Sequence, residues 1–318
     1  MRLSVVSTLY RSAPHLAAFH ARVAIAADRV SDCVEFIYVN DGSPDDDLTV
    51  ALELQASDPR IRIVDLSRNF GHHPAMMTGL QHATGERIFL IDCDLEEPPE
   101  LVNAFTDELA RTDADVVYGV QASRTGGAFD RFCGQSFYTI FNALSPDPIP
   151  ANLMTVRLMS RRYVDALLLH PEVEFVIAGL WARTGFKQVP MPVNKGRKPT
   201  SAYDLRRKME MLVNAVTGFS ATPLRMIFYL GLAISSLAGF AAISLLTAWV
   251  IRGGEFQAGW PSLIVSVWLL GGLTIFCQGV IGIYLGKVYT EAKRRPATII
   301  RQIYEPQIGG GHAYQRTG

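Results

Sequence analysis

The chain has 318 residues, carries 30 basic against 30 acidic side chains, and is 49% apolar. A formal net charge of zero leaves no basic field for a phosphate backbone, which argues against nucleic acid as a partner. Four cysteines, Cys33, Cys93, Cys133 and Cys277, stand far apart, which argues against a disulfide framework or zinc site and suits a reducing compartment.

The N-terminus enters a strand-like pattern directly, with no apolar leader before a small-residue cleavage site, so no signal peptide is expected. β-branched apolar runs follow at 3–10, 34–40, 61–66, 87–92 and 115–120, with helix-compatible segments between them, at 46–56 and 74–83 among others. This alternation predicts an α/β fold built on a doubly wound, mostly parallel sheet. Such sheets bind ligands at the carboxyl ends of their strands. The residues delivered there are Tyr10-Arg11-Ser12, Asn40-Asp41-Gly42-Ser43, Ser67-Arg68-Asn69-Phe70-Gly71-His72, Asp92-Cys93-Asp94 and Arg124. Polar and aromatic groups at five strand ends on one edge predict a nucleotide-sized site.

Asp92 and Asp94 form the sharpest signal. Two carboxylates one residue apart suit a hard divalent cation that bridges to diphosphate oxygens and neutralises a leaving nucleoside diphosphate. A solvated acidic turn capping the next helix is the plainer reading of the pair alone, but Leu-Glu-Glu-Pro-Pro-Glu after it raises its specificity. Asp41 fits either an ordinary turn or an acceptor for a base or ribose hydrogen bond. His72 and His73 are core or surface histidines as readily as substrate-lining ones.

Residues 124–144 carry Arg124, Arg131 and five aromatics at spacings of an amphipathic helix, which fits a bilayer surface or packing on the sheet. A basic loop, Lys195-Gly196-Arg197-Lys198, runs on to Tyr203 and suits anionic lipid or phosphate. Two uncharged stretches follow, Met226 to Ile251 and Phe256 to Gly286, each longer than the roughly 20 residues a span needs. Basic residues flank the pair on both outer sides, while the short loop between has only Arg252, offset by Glu255. The positive-inside rule then puts both termini in the cytoplasm. The expected organisation is a catalytic domain over 1–205, a juxtamembrane amphipathic segment over 206–224, a transmembrane hairpin within 225–288 (about 225–251 and 260–286), and a cytoplasmic tail over 289–318.

The series VNDGSPDD, LSRNFGHHPAMMTGL, ATGERIFLIDCDLEEPPE, RLMSRRYVDAL and IGIYLGKVYTEAKRRP resembles glycosyltransferase family 2, and within it the polyprenyl-phosphate glycosyltransferases with two transmembrane helices. The resemblance covers nearly the whole chain. It implies a GT-A fold and inverting transfer from a nucleotide-sugar, with uracil the expected base and guanine compatible with Asp41. It also implies Mg²⁺ or Mn²⁺ and a polyprenyl phosphate acceptor at a bacterial inner membrane. Tyr10, Asp41 and Arg68 would serve the nucleotide; Asp92 and Asp94 catalysis and the metal, Asp94 foremost. Arg124, Arg131, Lys195, Arg197 and Tyr203 would serve phosphates and acceptor. Relatives assemble, so a homo-oligomer is compatible with it.

Three departures stand out. Thr155 occupies the position of an aspartate that precedes the Arg157-Leu158 segment in many relatives; Gly282-Ile283-Tyr284 replaces a Gly-Glu-Tyr; and the first loop lacks the usual proline and acidic residue. A processive synthase is disfavoured by the absence of a QxxRW-like motif and of further spans. A non-catalytic scaffold is disfavoured by the intact acidic pair, and a dehydrogenase by the missing GxGxxG after the first strand.

Overall fold

A computed structural model describes residues 1–121, 152–170, 177–194, 222–251 and 259–305. The described chain falls into two compact units, one holding all strands and the shorter helices, the other the two long helices.

The first unit opens β1 (Arg2–Leu9), α1 (Ala13–Asp28), β2 (Cys33–Asn40), α2 (Asp47–Ser57), β3 (Ile61–Leu66), α3 (His72–His82), β4 (Arg87–Leu90) and α4 (Leu101–Thr112). It continues through β5 (Val116–Gln121), β6 (Leu153–Ser160), α5 (Arg161–Leu167), α6 (Ile177–Arg183) and β7 (Gln188–Val193). The second unit is α7 (Thr222–Ile251) and α8 (Trp260–Ala292), after which β8 (Ile300–Tyr304) returns to the first.

The eight strands form one sheet in the order β7-β5-β6-β4-β1-β2-β3-β8. Its centre, β4-β1-β2-β3, is parallel. β1 and β2 are buried from their second residue to their last, as expected of strands covered on both faces, and this is why they read as apolar runs rather than alternations. α1 buries Leu16, Phe19, His20, Val23, Ala26 and Ala27, a stripe at helical spacing. α3 lies close on β1 and β2 because Gly79 has no side chain: a Cβ there would meet Val6 and Val39.

The sheet is mixed rather than purely parallel. β6 runs antiparallel to both β4 and β5, and β8 antiparallel to β3. Within the segment after residue 289, Ile300–Tyr304 forms the edge strand beside β3. Chain order reverses between β1 and β4, whose neighbours lead off in opposite directions, and this switch point opens a crevice at their carboxyl ends.

In the second unit, α7 has 30 residues and α8 has 33. Among the described residues one stretch, the 23-residue Leu270–Ala292, is long and apolar enough to cross a membrane, with a shorter apolar run at Leu224–Ile234.

Candidate active site

Four loops meet at the carboxyl edge of the central strands. The loop after β1 presents Tyr10, which is 44% exposed. Its course is set by neighbours rather than by its own sequence: Arg11 N donates to Ser43 Oγ at 2.9 Å and Ser12 N to Asp47 Oδ1 at 2.8 Å. Asp47 is fully buried, and burial outweighs its hydrogen bonds to raise its pKa. This carboxylate ties the start of α1 to the start of α2.

That second loop carries Asp41, 2% exposed. Its oxygens accept from Phe70 N at 2.7 Å and Gly71 N at 3.0 Å. Burial is the largest influence on it and raises its pKa even against those two donors. Gly42 adopts φ +57°, and a Cβ there would collide with the backbone of Arg68 and Asn69. The loops after β2 and β3 therefore pack backbone to backbone, a contact only glycine permits. Asp41 has one established task, holding the third loop; each carboxylate oxygen retains a further acceptor lone pair for a ligand. In that third loop the Arg68 guanidinium lies 4.0 Å over the Phe70 ring.

The fourth loop delivers the acidic pair. Asp92 Oδ1 is 3.3 Å from His72 Nε2, and His72 Nδ1 is 3.0 Å from Thr8 Oγ1. His72 thus links the ends of β1 and β4 across the switch point. Burial opposes charge on its ring, but the Asp92 hydrogen bond and the nearby Asp92, Asp41 and Asp94 carboxylates outweigh it, so its pKa is raised. Asp94 Oδ1 accepts from Glu96 N at 3.0 Å, fixing the turn in which Leu95 has φ 60°. Cys93 between them is buried, and burial pushes its thiol up to about 12, which makes it packing rather than chemistry.

On the other side of β4, Arg157 is fully buried, its guanidinium over the Trp181 ring. β4 and β6 pair with Leu90 opposite Arg157.

Among the described residues no three His, Cys, Asp or Glu side chains gather into a complete cation site. Asp92 and Asp94 fit a metal that takes only part of its shell from protein: their oxygens are hard donors, and the other ligands would be phosphate oxygens and water. Tyr10, Asp41, Arg68, Asp92 and Asp94 all lie at the described edge. Arg124, Arg131, Lys195, Arg197 and Tyr203, with the aromatic segment 124–144, lie outside the described residues. Asp47 is an addition of the structure, and for His72 the addition is its partners, Thr8 and Asp92. The signal for His72 was its place on the same sheet edge as the other strand-end residues; Asp47 was hidden in the acidic run Asp45-Asp46-Asp47.

Residues 4–168 match the family profile described as Glycosyl transferase family 2. The chain belongs to glycosyltransferase family 2. A Mycobacterium tuberculosis (strain CDC 1551 / Oshkosh) protein named for glycosyltransferase activity is 52% identical over 308 residues, covering 96% of this chain and 89% of its own. The prophage bactoprenol glucosyl transferase homolog of Escherichia coli K12 is 31% identical, covering 95% and 99%. Among solved structures, the Pyrobaculum calidifontis mannosyltransferase PcManGT, in complex with GDP-Man and Mn²⁺, is 17% identical with a TM-score of 0.49, covering 91% of this chain and 86% of that one. The glycosyltransferase has an α/β fold on a mixed sheet, with Tyr10, Asp41, Arg68, Asp92 and Asp94 on the edge where its central parallel strands end.

Proposed function

We propose that this glycosyltransferase transfers a sugar, with inversion, from a nucleotide-sugar (a UDP-sugar foremost) to a polyprenyl phosphate at the cytoplasmic face of a bacterial inner membrane. The observation that carries the reading is the placement of Tyr10, Asp41, Asp92 and Asp94 on the switch-point edge in a chain that also bears an apolar helical stretch long enough to cross a membrane, Leu270–Ala292. A relative named for bactoprenol glucosyl transfer aligns over nearly the full length of both chains, the helices included, and supports the lipid acceptor. In this reading α7 and α8 form a transmembrane hairpin, and the basic residues flanking it keep the catalytic domain cytoplasmic.

Tyr10 stacks on the base and Asp41 accepts its N–H, with Arg68 beside them. Asp92 and Asp94 face the ribose–diphosphate region. A bound Mg²⁺ or Mn²⁺ would neutralise charge on the departing diphosphate. His72 holds Asp92 in place through its ring hydrogen bond. Arg124, Arg131, Lys195, Arg197 and Tyr203 serve the phosphates of donor and acceptor.

Thr155 does not preclude this chemistry. A phosphate monoester has a second pKa near 6, so the acceptor is mostly a dianion at neutral pH and attacks without a general base. What it requires is orientation and relief from repulsion.

The test is transfer by purified protein with undecaprenyl phosphate, Mg²⁺ or Mn²⁺, and a panel of UDP- and GDP-sugars. One donor should give a sugar-linked lipid that EDTA abolishes. Asp94→Ala should reduce the rate on the order of a hundredfold or more, while Thr155→Ala retains it. Wild-type protein inert with every donor would overturn the proposal.

A further inference from the structure

The donor loops are braced by a segment far away in sequence. β8 pairs with β3 along the outer edge of the sheet, and its contacts concentrate where β3 ends. Arg301 extends one guanidinium nitrogen to Asp65 Oδ2 at 3.2 Å, and the other donates to the Ser67 carbonyl at 2.7 Å. Ser67 N in turn donates to the Ile299 carbonyl at 2.9 Å. Asp65 is 1% exposed, and its other oxygen accepts from Asn40 Nδ2 at 2.8 Å. Asn40 Oδ1 accepts from Ser43 N at 3.2 Å, closing the turn that holds Asp41. One residue pair beyond, Thr298 Oγ1 and Thr78 Oγ1 lie 2.8 Å apart and tie the same segment to α3, the helix that begins with His72.

We infer that Arg301 is a positioning residue for the nucleotide site, acting through Asp65 and Ser67 on the loops that carry Asp41 and Arg68. The inference rests on reading this edge as a nucleotide site. The physical reason is the buried charge. Asp65 has Asn40 as its only other side-chain hydrogen-bond donor among the described residues, so removing Arg301 leaves a carboxylate in the sheet without its cation. Asp65 then takes up a proton or moves toward water, and either change disturbs its bond to Asn40 at the end of β2, while the Ser67 carbonyl after β3 loses its donor. Arg62 provides an internal comparison: it bonds to Glu305 Oε2 at 2.9 Å on the segment after β8 and to the His82 carbonyl at 2.8 Å, near the start of β3 and away from both loops.

The experiment uses full-length protein in detergent or nanodiscs, with calorimetric binding of UDP and of GDP in the presence of Mn²⁺. Arg301→Ala should weaken nucleotide binding about tenfold and raise the donor KM correspondingly, with kcat and acceptor KM within about twofold. Arg62→Ala should leave nucleotide binding unchanged. Arg301→Lys, which restores the charge but not the fork to Ser67, should fall between wild type and alanine. Hydrogen exchange at the Phe70 and Gly71 amides should quicken in Arg301→Ala and not in Arg62→Ala. Arg301→Gln, which keeps most of the side-chain stem, carries the same test if the alanine variant is unfolded at assay temperature. A folded Arg301 variant that binds nucleotide as wild type does, or an Arg62→Ala loss of equal size, overturns the inference alone. Wild-type protein that binds neither nucleotide overturns the reading of the site and this inference with it.

Discussion

The two units use the same apolar residues in opposite ways. In the sheet unit, Val5, Phe36, Phe89 and Leu158 are sealed between layers with at most 1% of their surface exposed. In the helical unit, Leu237, Phe240 and Ile275 turn outward at 70%, 73% and 71% exposure. The first arrangement suits water outside and a dry interior. The second fits apolar surroundings, since apolar patches facing water drive association. Within a hydrogen-bonded helix the backbone needs no water, so apolar side chains facing out are compatible with a bilayer. The difference teaches that hydrophobic content alone does not identify a core; which solvent surrounds the element decides it.

The comparison breaks most sharply at single residues. Phe89 is fully buried and meets Phe105 edge-to-face with centroids 6.3 Å apart. Phe89→Ala should lower the stability of the sheet unit by about 3–5 kcal/mol, followed by denaturant unfolding, whereas Phe240→Ala should change it by less than about 0.5 kcal/mol. Equal losses would mean that Phe240 is packed as a core residue is.

Next in size is a charge placed on α8. Ile281, 51% exposed within the apolar stretch Leu270–Ala292, should cost about 2.5–3.5 kcal/mol of insertion free energy as Ile281→Asp. The measurement is the fraction of chain resisting alkaline extraction from membranes, and an unchanged fraction would remove α8 from the bilayer.

The smallest effect concerns the dry interior of the sheet unit. His20 is buried, with Nδ1 2.7 Å from the Tyr38 hydroxyl and Nε2 3.3 Å from Asp58. Burial lowers its pKa from the ordinary 6.5, aided by Arg60 and opposed by Asp58 and Asp28. The unfolded chain therefore takes up this proton first as pH falls. Stability from a neutral His20 is fully present above 6.5 and declines below it, toward the folded-state value. Wild-type Tm should drop between about pH 7.5 and about pH 5.5, with His20→Gln showing a shallower slope. Parallel profiles for the two proteins would assign the slope to other groups.

Much of the central sheet was legible because each strand is a local pattern. The run at 61–66 coincides with Ile61–Leu66, and that at 34–40 with Cys33–Asn40 to within one residue. β6 and β8 were not legible as partners: nothing in LMTVRLMS or IRQIY says which distant strand each will pair with, or in which direction. At the site, Asp92-Cys93-Asp94 was visible because the chemistry sits within three consecutive residues. The tie of His72 to Asp92, and the roles of Asp47 and Arg301, were not, because the partners lie 20, 35 and 236 positions away.

The sequence by itself determined the alternating α/β order, the acidic pair at a strand end and the apolar character of the long C-terminal helices. These depend on residues close enough along the chain to form one turn, one strand or one helix. Only the tertiary structure decided that Asp41 is held by the loop after β3, that His72 joins Asp92 to Thr8, and that the segment after α8 completes the sheet. Those contacts arise from strand register and loop packing, which are settled by burial summed over the whole domain rather than by any local run of residues.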